Sequence, residues 1–288
     1  MEYFNFTDDG KLMNKPEKHF PKNNLYIYLE RFSLTDISGV VFPKNVKNLD
    51  LSENNLTNLF NVSFPKYLQV LDLYCNRLSD ISSAKFPPKL QVLLLANNNL
   101  TDISTVVFPP ELKELYLGIN FLTDISSVVF PPKLQELCLG DNNLTDISSV
   151  VFPPKLQVLY LEKNNLTDIS TVVFPPELQE LYLENNNLTD ISAVVFPPKL
   201  KELDLEDNNL TDILGFSPDF GMEYINACRK IRIIQRFVRK WFWKRKRKNS
   251  IVSWCVFEIG YNMNYTHCYM AKKGLKRFKG LSKIKELS

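Results

Sequence analysis

Residues 156–199 read LQVLYLEKNNLTDISTVVFPPE and then LQELYLENNNLTDISAVVFPPK, two 22-residue copies that differ at four positions. The element that begins Leu188-Thr189-Asp190-Ile191 has counterparts from Leu34, Leu56, Leu78, Leu100, Leu122, Leu144, Leu166 and Leu210, each 22 residues from the next. A constant spacing with several fixed columns is the mark of a stacked array, in which one unit buries its apolar side only against its neighbours.

Each column of the unit has a physical reading. Leu178, Leu181 and Leu183, alternating around Tyr182, have period two and predict a short strand with one buried face. Asn54, Asn76, Asn98, Asn120, Asn142, Asn164, Asn186 and Asn208 stand where the chain must leave that strand. An amide there both donates and accepts, so it can satisfy backbone groups of its own and adjoining turns. Thr-Asp before Ile-Ser reads as a cap or turn starter. The column from Phe42 to Phe196 is suited to stacking rings along the interior, and the prolines after it oppose a helix through that corner.

The unit resembles the leucine-rich repeat family, whose core L-x-x-L-x-L-x-x-N-x-L it follows in eight consecutive copies over residues 20–214. The Phe-Pro-Pro ending and the L-T-D-I-S element are most similar to the repeat proteins of amoeba-infecting giant viruses (mimivirus-like), and are similar to Phe-Pro repeats of amoebae. The resemblance implies an α/β-type repeat solenoid, a curved parallel-β leucine-rich repeat array of nine 22-residue turns. Its strands line the concave side, with short turns or 3-10 pieces on the convex side. The first copy is degenerate, with Asn24 at the first Leu position and Phe32 at the Asn position, as suits a terminal cap.

In such an array the residues between the buried leucines point outward. The candidate protein-binding set on the concave face is Tyr74, Glu114, Tyr116, Glu136, Tyr160, Glu162, Glu180, Tyr182, Glu184, Glu202, Asp204 and Glu206. Tyrosine offers rigid contact area with a polar tip, and a negative field steers cations, so the set suits a basic or amphipathic protein partner.

Beyond the array the chain changes character. Residues 1–221 carry 17 basic and 29 acidic residues, whereas 222–288 carry 18 basic and 3 acidic. The chain therefore divides into a lead-in at 1–19, the array at 20–214, a linker at 215–221 and a basic amphipathic helix at 222–248. A basic tail at 249–288 completes it. Ile225, Cys228, Ile231, Ile234, Val238 and Trp241 fall at helical steps. Ile234, Gln235, Arg239 and Lys244 resemble the IQ motif, with Lys240 where that motif prefers Gly, which implies a calmodulin-like protein at the tail. The segment also suits capping of the array, which comes first among its readings, then nucleic acid or nuclear import through Lys244–Lys248, and last a membrane surface.

Composition narrows the function. Two histidines and five scattered cysteines without CxxC spacing give no catalytic setting, no metal site and no cofactor site. The expectation is a non-enzymatic interaction scaffold or adaptor. A nucleic-acid-binding or nuclear-targeted factor acting through the tail is the alternative. No apolar run is long enough for a membrane span, and no signal peptide is read at Met1-Glu2-Tyr3. The expected compartment is intracellular and cytoplasmic, the host cytoplasm for a viral chain, with the nucleus as alternative. The N-L-T triplets at Asn55, Asn99 and Asn143 are then by-products of the repeat rather than glycosylation sites.

Overall fold

The computed structural model describes residues 4–14 and 25–210. Phe20–Asn24, the linker, the basic segment with Ile234, Gln235, Arg239 and Lys244, and the tail at 249–288 lie outside the described residues. Two short strands, β1 (Phe4–Phe6) and β2 (Leu12–Asn14), form an antiparallel hairpin. Nine three-residue strands follow: β3 (Tyr26–Tyr28), β4 (Asn48–Asp50), β5 (Val70–Asp72), β6 (Val92–Leu94), β7 (Glu114–Tyr116), β8 (Glu136–Cys138), β9 (Val158–Tyr160), β10 (Glu180–Tyr182) and β11 (Glu202–Asp204). They make one parallel sheet in strict chain order.

The register never slips: Leu159 pairs with Leu181, and Leu181 with Leu203. Period two puts the middle residue of each triplet, Ile27 in β3 and Leu in the others, inward beside the Leu two residues later. Leu71, Leu73, Leu93, Leu95, Leu115 and Leu117 are all shut off from solvent. Burying one such side chain contributes about 1.5–3 kcal/mol, and each turn repeats the gain.

The Asn column does what its chemistry allows. In Asn142 the Oδ1 accepts from the Leu122 N–H at 3.0 Å, while Nδ2 donates to the carbonyls of Leu117 at 3.1 Å, Leu139 at 3.0 Å and Gly140 at 3.4 Å. One amide thus ties its own turn to the preceding one, and the same bonds recur at Asn76, Asn98, Asn120, Asn164 and Asn186. Asn54 reaches the first turn in the same way and also accepts from the Phe32 N–H. The degenerate copy is thereby held by its neighbour's side chain.

Among the described residues the return path consists of turns. Asp102 Oδ1 accepts from the Ser104 N–H at 2.7 Å, and Asp80, Asp124, Asp146, Asp168 and Asp190 do likewise in their copies. The Asp rather than the Thr is the turn starter, and Asn58 takes that role in its own copy. A second tight turn runs from Pro109 to the Leu112 N–H. Phe174 and Phe196 stack at 6.3 Å, as do Phe64 and Phe86.

The residue before each Asn is left-handed. Glu53, Cys75, Asn97, Ile119, Asp141, Lys163, Asn185 and Asp207 all have φ between 51° and 57°. Ile119 is the β-branched member, where Cβ sterics weigh most. At the front of the array the hairpin docks on the first turn. The Leu12 N–H donates to the Asp36 carbonyl at 2.8 Å, Thr35 N–H donates to Gly10, and Lys11 Nζ meets Asp36 Oδ2 at 2.7 Å. Leu12 enters the common core. Gly10 has φ 86°, and a side chain there would meet the Ser33 carbonyl oxygen at 2.7 Å, so glycine is required.

Candidate functional site: the exposed face of the sheet

Three columns of side chains rise from the outer face of the sheet: the first and last residues of each strand triplet, and the residue two after the triplet ends. The first column holds Glu114, Glu136, Glu180 and Glu202, all half-buried. Glu114 sits beside Glu136, and Glu180 beside Glu202, in direct register. Like charges held one strand apart repel, so these pairs are a standing source of negative potential.

The middle column is more enclosed than its outward direction suggests, because the flanking columns cover it. Tyr116 is 3% exposed and its hydroxyl donates to Glu136 Oε1 at 2.7 Å. Asp204 is buried, with Oδ1 accepting from the Glu206 N–H at 3.0 Å. Asp50 is buried too, and its Oδ1 accepts from the Ser52 N–H and hydroxyl. Tyr160 and Tyr182 are half-buried and lie flat on each other, with centroids 4.8 Å apart and planes 6° off parallel. The Tyr182 hydroxyl donates to Glu180 Oε2 at 3.2 Å. Burial, and then the Glu180 and Glu202 carboxylates, push its ionisation well above the usual phenol range, so it stays a neutral donor.

In the third column Tyr74, Glu162 and Glu206 are half-buried and Glu184 is buried. Burial raises the Tyr74 phenol as well. Gly118 and Gly140 fall between Ala96 and Glu162 in this column, and Cys138 is a buried thiol beside them. The outward set from Tyr74 to Glu206 is therefore brought onto one continuous face. Sequence reasoning passed over Tyr26 and Tyr28, which extend that face at the first strand, 50% and 64% exposed and stacked at 6.4 Å. Their signal was the outward position of each on a triplet whose copy is otherwise degenerate.

A different stripe lies off this face. Val107, Val129, Val151, Val173 and Val195 are each about 80% exposed, whereas the valine before each one is buried. Among the described residues no three His, Cys, Asp or Glu side chains are grouped to hold a metal ion, and no helix is long and apolar enough to cross a membrane.

Comparison with known proteins agrees with this geometry. Residues 110–166, 132–176 and 176–217 match the family model for the leucine rich repeat, and residues 88–129 match the two-copy model for leucine rich repeats. No curated protein matches the sequence. The structure is similar to an internalin, InlF, of Listeria monocytogenes, with TM-score 0.52 and 25% identity over 67% of this chain and 63% of that one. It is also similar to a chain of the LRIM1/APL1C complex, with TM-score 0.54 and 28% identity over 64% and 35% of the two chains. Internalin C2 of the same Listeria strain shares the fold, with TM-score 0.51 and 24% identity over 67% and 76%. The chain thus spans less than two thirds of the InlF chain it matches. Residues 88–217 thus match leucine-rich repeat models, and residues 25–210 form one parallel-β solenoid of constant 22-residue spacing, similar in fold to leucine-rich repeat proteins.

Proposed function

We propose that the protein is a non-enzymatic interaction scaffold whose sheet face binds another protein. The observation that carries this reading is the Tyr160–Tyr182 stack set among Glu162, Glu180, Glu184 and Glu202 on a rigid sheet. Stacked tyrosines give contact area that loses little freedom on binding, and the carboxylates favour a basic or amphipathic partner. The family supports it, since repeat arrays commonly recognise proteins on an extended face. The Phe-Pro-Pro units support a giant-virus origin, and with it the cytoplasm of the host as the compartment.

The segregated charge favours a second reading, in which residues 222–288, with 18 basic and 3 acidic residues, contact a nucleic acid or carry a nuclear address. The match at Ile234, Gln235, Arg239 and Lys244 supports a calmodulin-like partner for the same segment. Capture of binding proteins by the full chain, by a chain ending at 221 and by a Tyr160→Ala/Tyr182→Ala/Glu180→Lys variant separates the readings. Partners lost with the face variant and kept by Val129→Lys and by the shortened chain support the scaffold. Partners kept by the face variant and lost on truncation overturn it, and calcium dependence or salt-sensitive RNA binding then names the class.

A further inference from the structure

Val107, Val129, Val151, Val173 and Val195 make one stripe, each about 80% exposed. The fold does not require an apolar side chain there, because Ser63 and Lys85 hold the same column in the two preceding copies. The rings of Phe174 and Phe196, each next in the chain to a stripe valine, stack at 6.3 Å. Consecutive valines therefore stand about one side chain's width apart and form an unbroken row. Pro110, Pro132, Pro154, Pro176 and Pro198, three residues further on in each copy, are exposed as well. The largest apolar patch on an ordinary monomer measures roughly 300–600 Å² and often marks an interface, and five such rows make a patch of that order.

Four residues after each valine comes a charged side chain, and in chain order that column is Glu111, Lys133, Lys155, Glu177 and Lys199. Within one chain Lys133 Nζ meets Glu111 Oε1 at 2.6 Å and Lys199 Nζ meets Glu177 Oε1 at 2.7 Å, and all four side chains stay about half exposed. Set against its own reverse, the column puts lysine opposite glutamate at every row but the middle one. A twofold axis through the Val151 row, at right angles to the stripe, produces that reversal and keeps each flank on its own side. Val107 then meets Val195 of a second copy, Val129 meets Val173, and Val151 meets itself. Lys155 faces its own kind, as do the exposed aspartates five residues before each valine. Those like charges remain open to water and are screened, whereas the valines leave it. The apolar rows therefore decide the sign, and the repulsion keeps the association weak.

We propose that the valine stripe is the contact surface of a symmetric dimer, in which a second copy of this chain lies antiparallel to the first about Val151. The proposal goes beyond the sheet-face reading and uses a different side of the array. A stable dimer buries about 800 Å² on each copy, more than one stripe supplies, so the expected dissociation constant is on the order of 10–100 µM. High dilution then returns the monomer with its valines in water.

Sedimentation of the full chain between about 1 and about 500 µM tests it, with a monomer–dimer equilibrium as the expected result. Val151→Lys is expected to weaken association about tenfold or more, since it sets a charge at the centre of the apolar row. Glu111→Lys and Lys199→Glu should each weaken it about threefold or more, and the two together should restore it. Single cysteines then read the register with a short bismaleimide, the linked peptides being identified by mass. Val151→Cys should give a 151–151 link. Val107→Cys and Val195→Cys should give a 107–195 link when mixed and no self-link alone. A chain that stays monomeric over this range overturns the dimer. Slow alkylation of Val151→Cys in that monomer assigns the stripe to another segment of the same chain, and partner capture lost with Val151→Lys assigns it to a different protein. A dimer that tolerates Val151→Lys and both charge changes overturns the stripe as its contact. Links 107–107 and 195–195 in place of 107–195 overturn the antiparallel order.

Discussion

Tyr160 and Tyr182 are neighbours across one strand register, and their rings stack at 4.8 Å with planes 6° apart. Offset aromatic pairs contribute about 0.5–1.5 kcal/mol beyond the area they bury. A double-mutant cycle with Tyr160→Ala and Tyr182→Ala, read by urea unfolding, is expected to return a coupling in that range. Strictly additive losses would show that the rings are merely adjacent.

Asn142 meets the Leu122 N–H and the carbonyls of Leu117, Leu139 and Gly140. Asn142→Ala leaves several buried backbone groups without partners, at about 1–3 kcal/mol each. The expected loss is about 3 kcal/mol, and a smaller one is expected for Asn208→Ala, whose amide is only half-buried. Equal losses at the two sites would sink this account of the ladder.

Ile119 holds φ 55°, a conformation in which its copies carry Asn97, Asp141 and Asn185. Asn tolerates the left-handed region better than a β-branched side chain. Ile119→Asn is expected to raise stability by about 1 kcal/mol, and thermal unfolding checks the sign.

Glu162 sets a pH dependence of its own. Burial lifts its folded midpoint from 4.5 to about 7, so the native state binds this proton more tightly than the unfolded chain. Stability from this group is complete below the unfolded midpoint and is lost as pH rises from about 4.5 towards 7. The loss is on the order of 3 kcal/mol at most. Glu162→Gln should therefore stabilise the protein at pH 8 and change it little at pH 4.5. Asp102 and its copies act oppositely, since their hydrogen bonds from the Ser N–H groups lower them and their contribution fades in acid. Wild-type and Gln variant must be compared at each pH, by urea unfolding, so that this background cancels.

Val128 is 5% exposed and Val129 is 82% exposed, although the two are adjacent in the chain. Val128→Thr buries a hydroxyl, at about 1–3 kcal/mol, whereas Val129→Thr is expected to stay within about 0.5 kcal/mol of the wild type. Matching losses in chemical denaturation would place Val129 in a contact that the fold does not show.

The fold was legible because its causes recur. Leu137, Leu139, Asn142, Ile147, Val150 and Phe152 each act through one property, apolarity or a two-way amide, that the letter itself states. The left-handed column was not legible, since Glu53, Cys75, Ile119 and Lys163 share no chemistry and the backbone alone imposes their φ. The N-terminal hairpin had a signal in Asp9-Gly10, but nothing in the letters pairs Lys11 with Asp36, 25 residues away. At the candidate site, columns gave the direction of each side chain and not its cover. Tyr116 and Asp204 point outward and are still enclosed by their neighbours. That Glu162 bends onto Gly140 depends on the space one turn earlier, which alternation does not report.

The bonds of the Asn ladder fall at fixed offsets of 20, 25, 3 and 2 residues, whichever copy is considered. A chain that gains or loses one whole copy inside the array remakes every one of them. Recombination between copies thus alters the number of rungs in whole steps without passing through a misfolded length. Each step adds or removes one outward triplet from the exposed face. The exposed face can therefore change in how many rows it presents as well as in which residues stand in them.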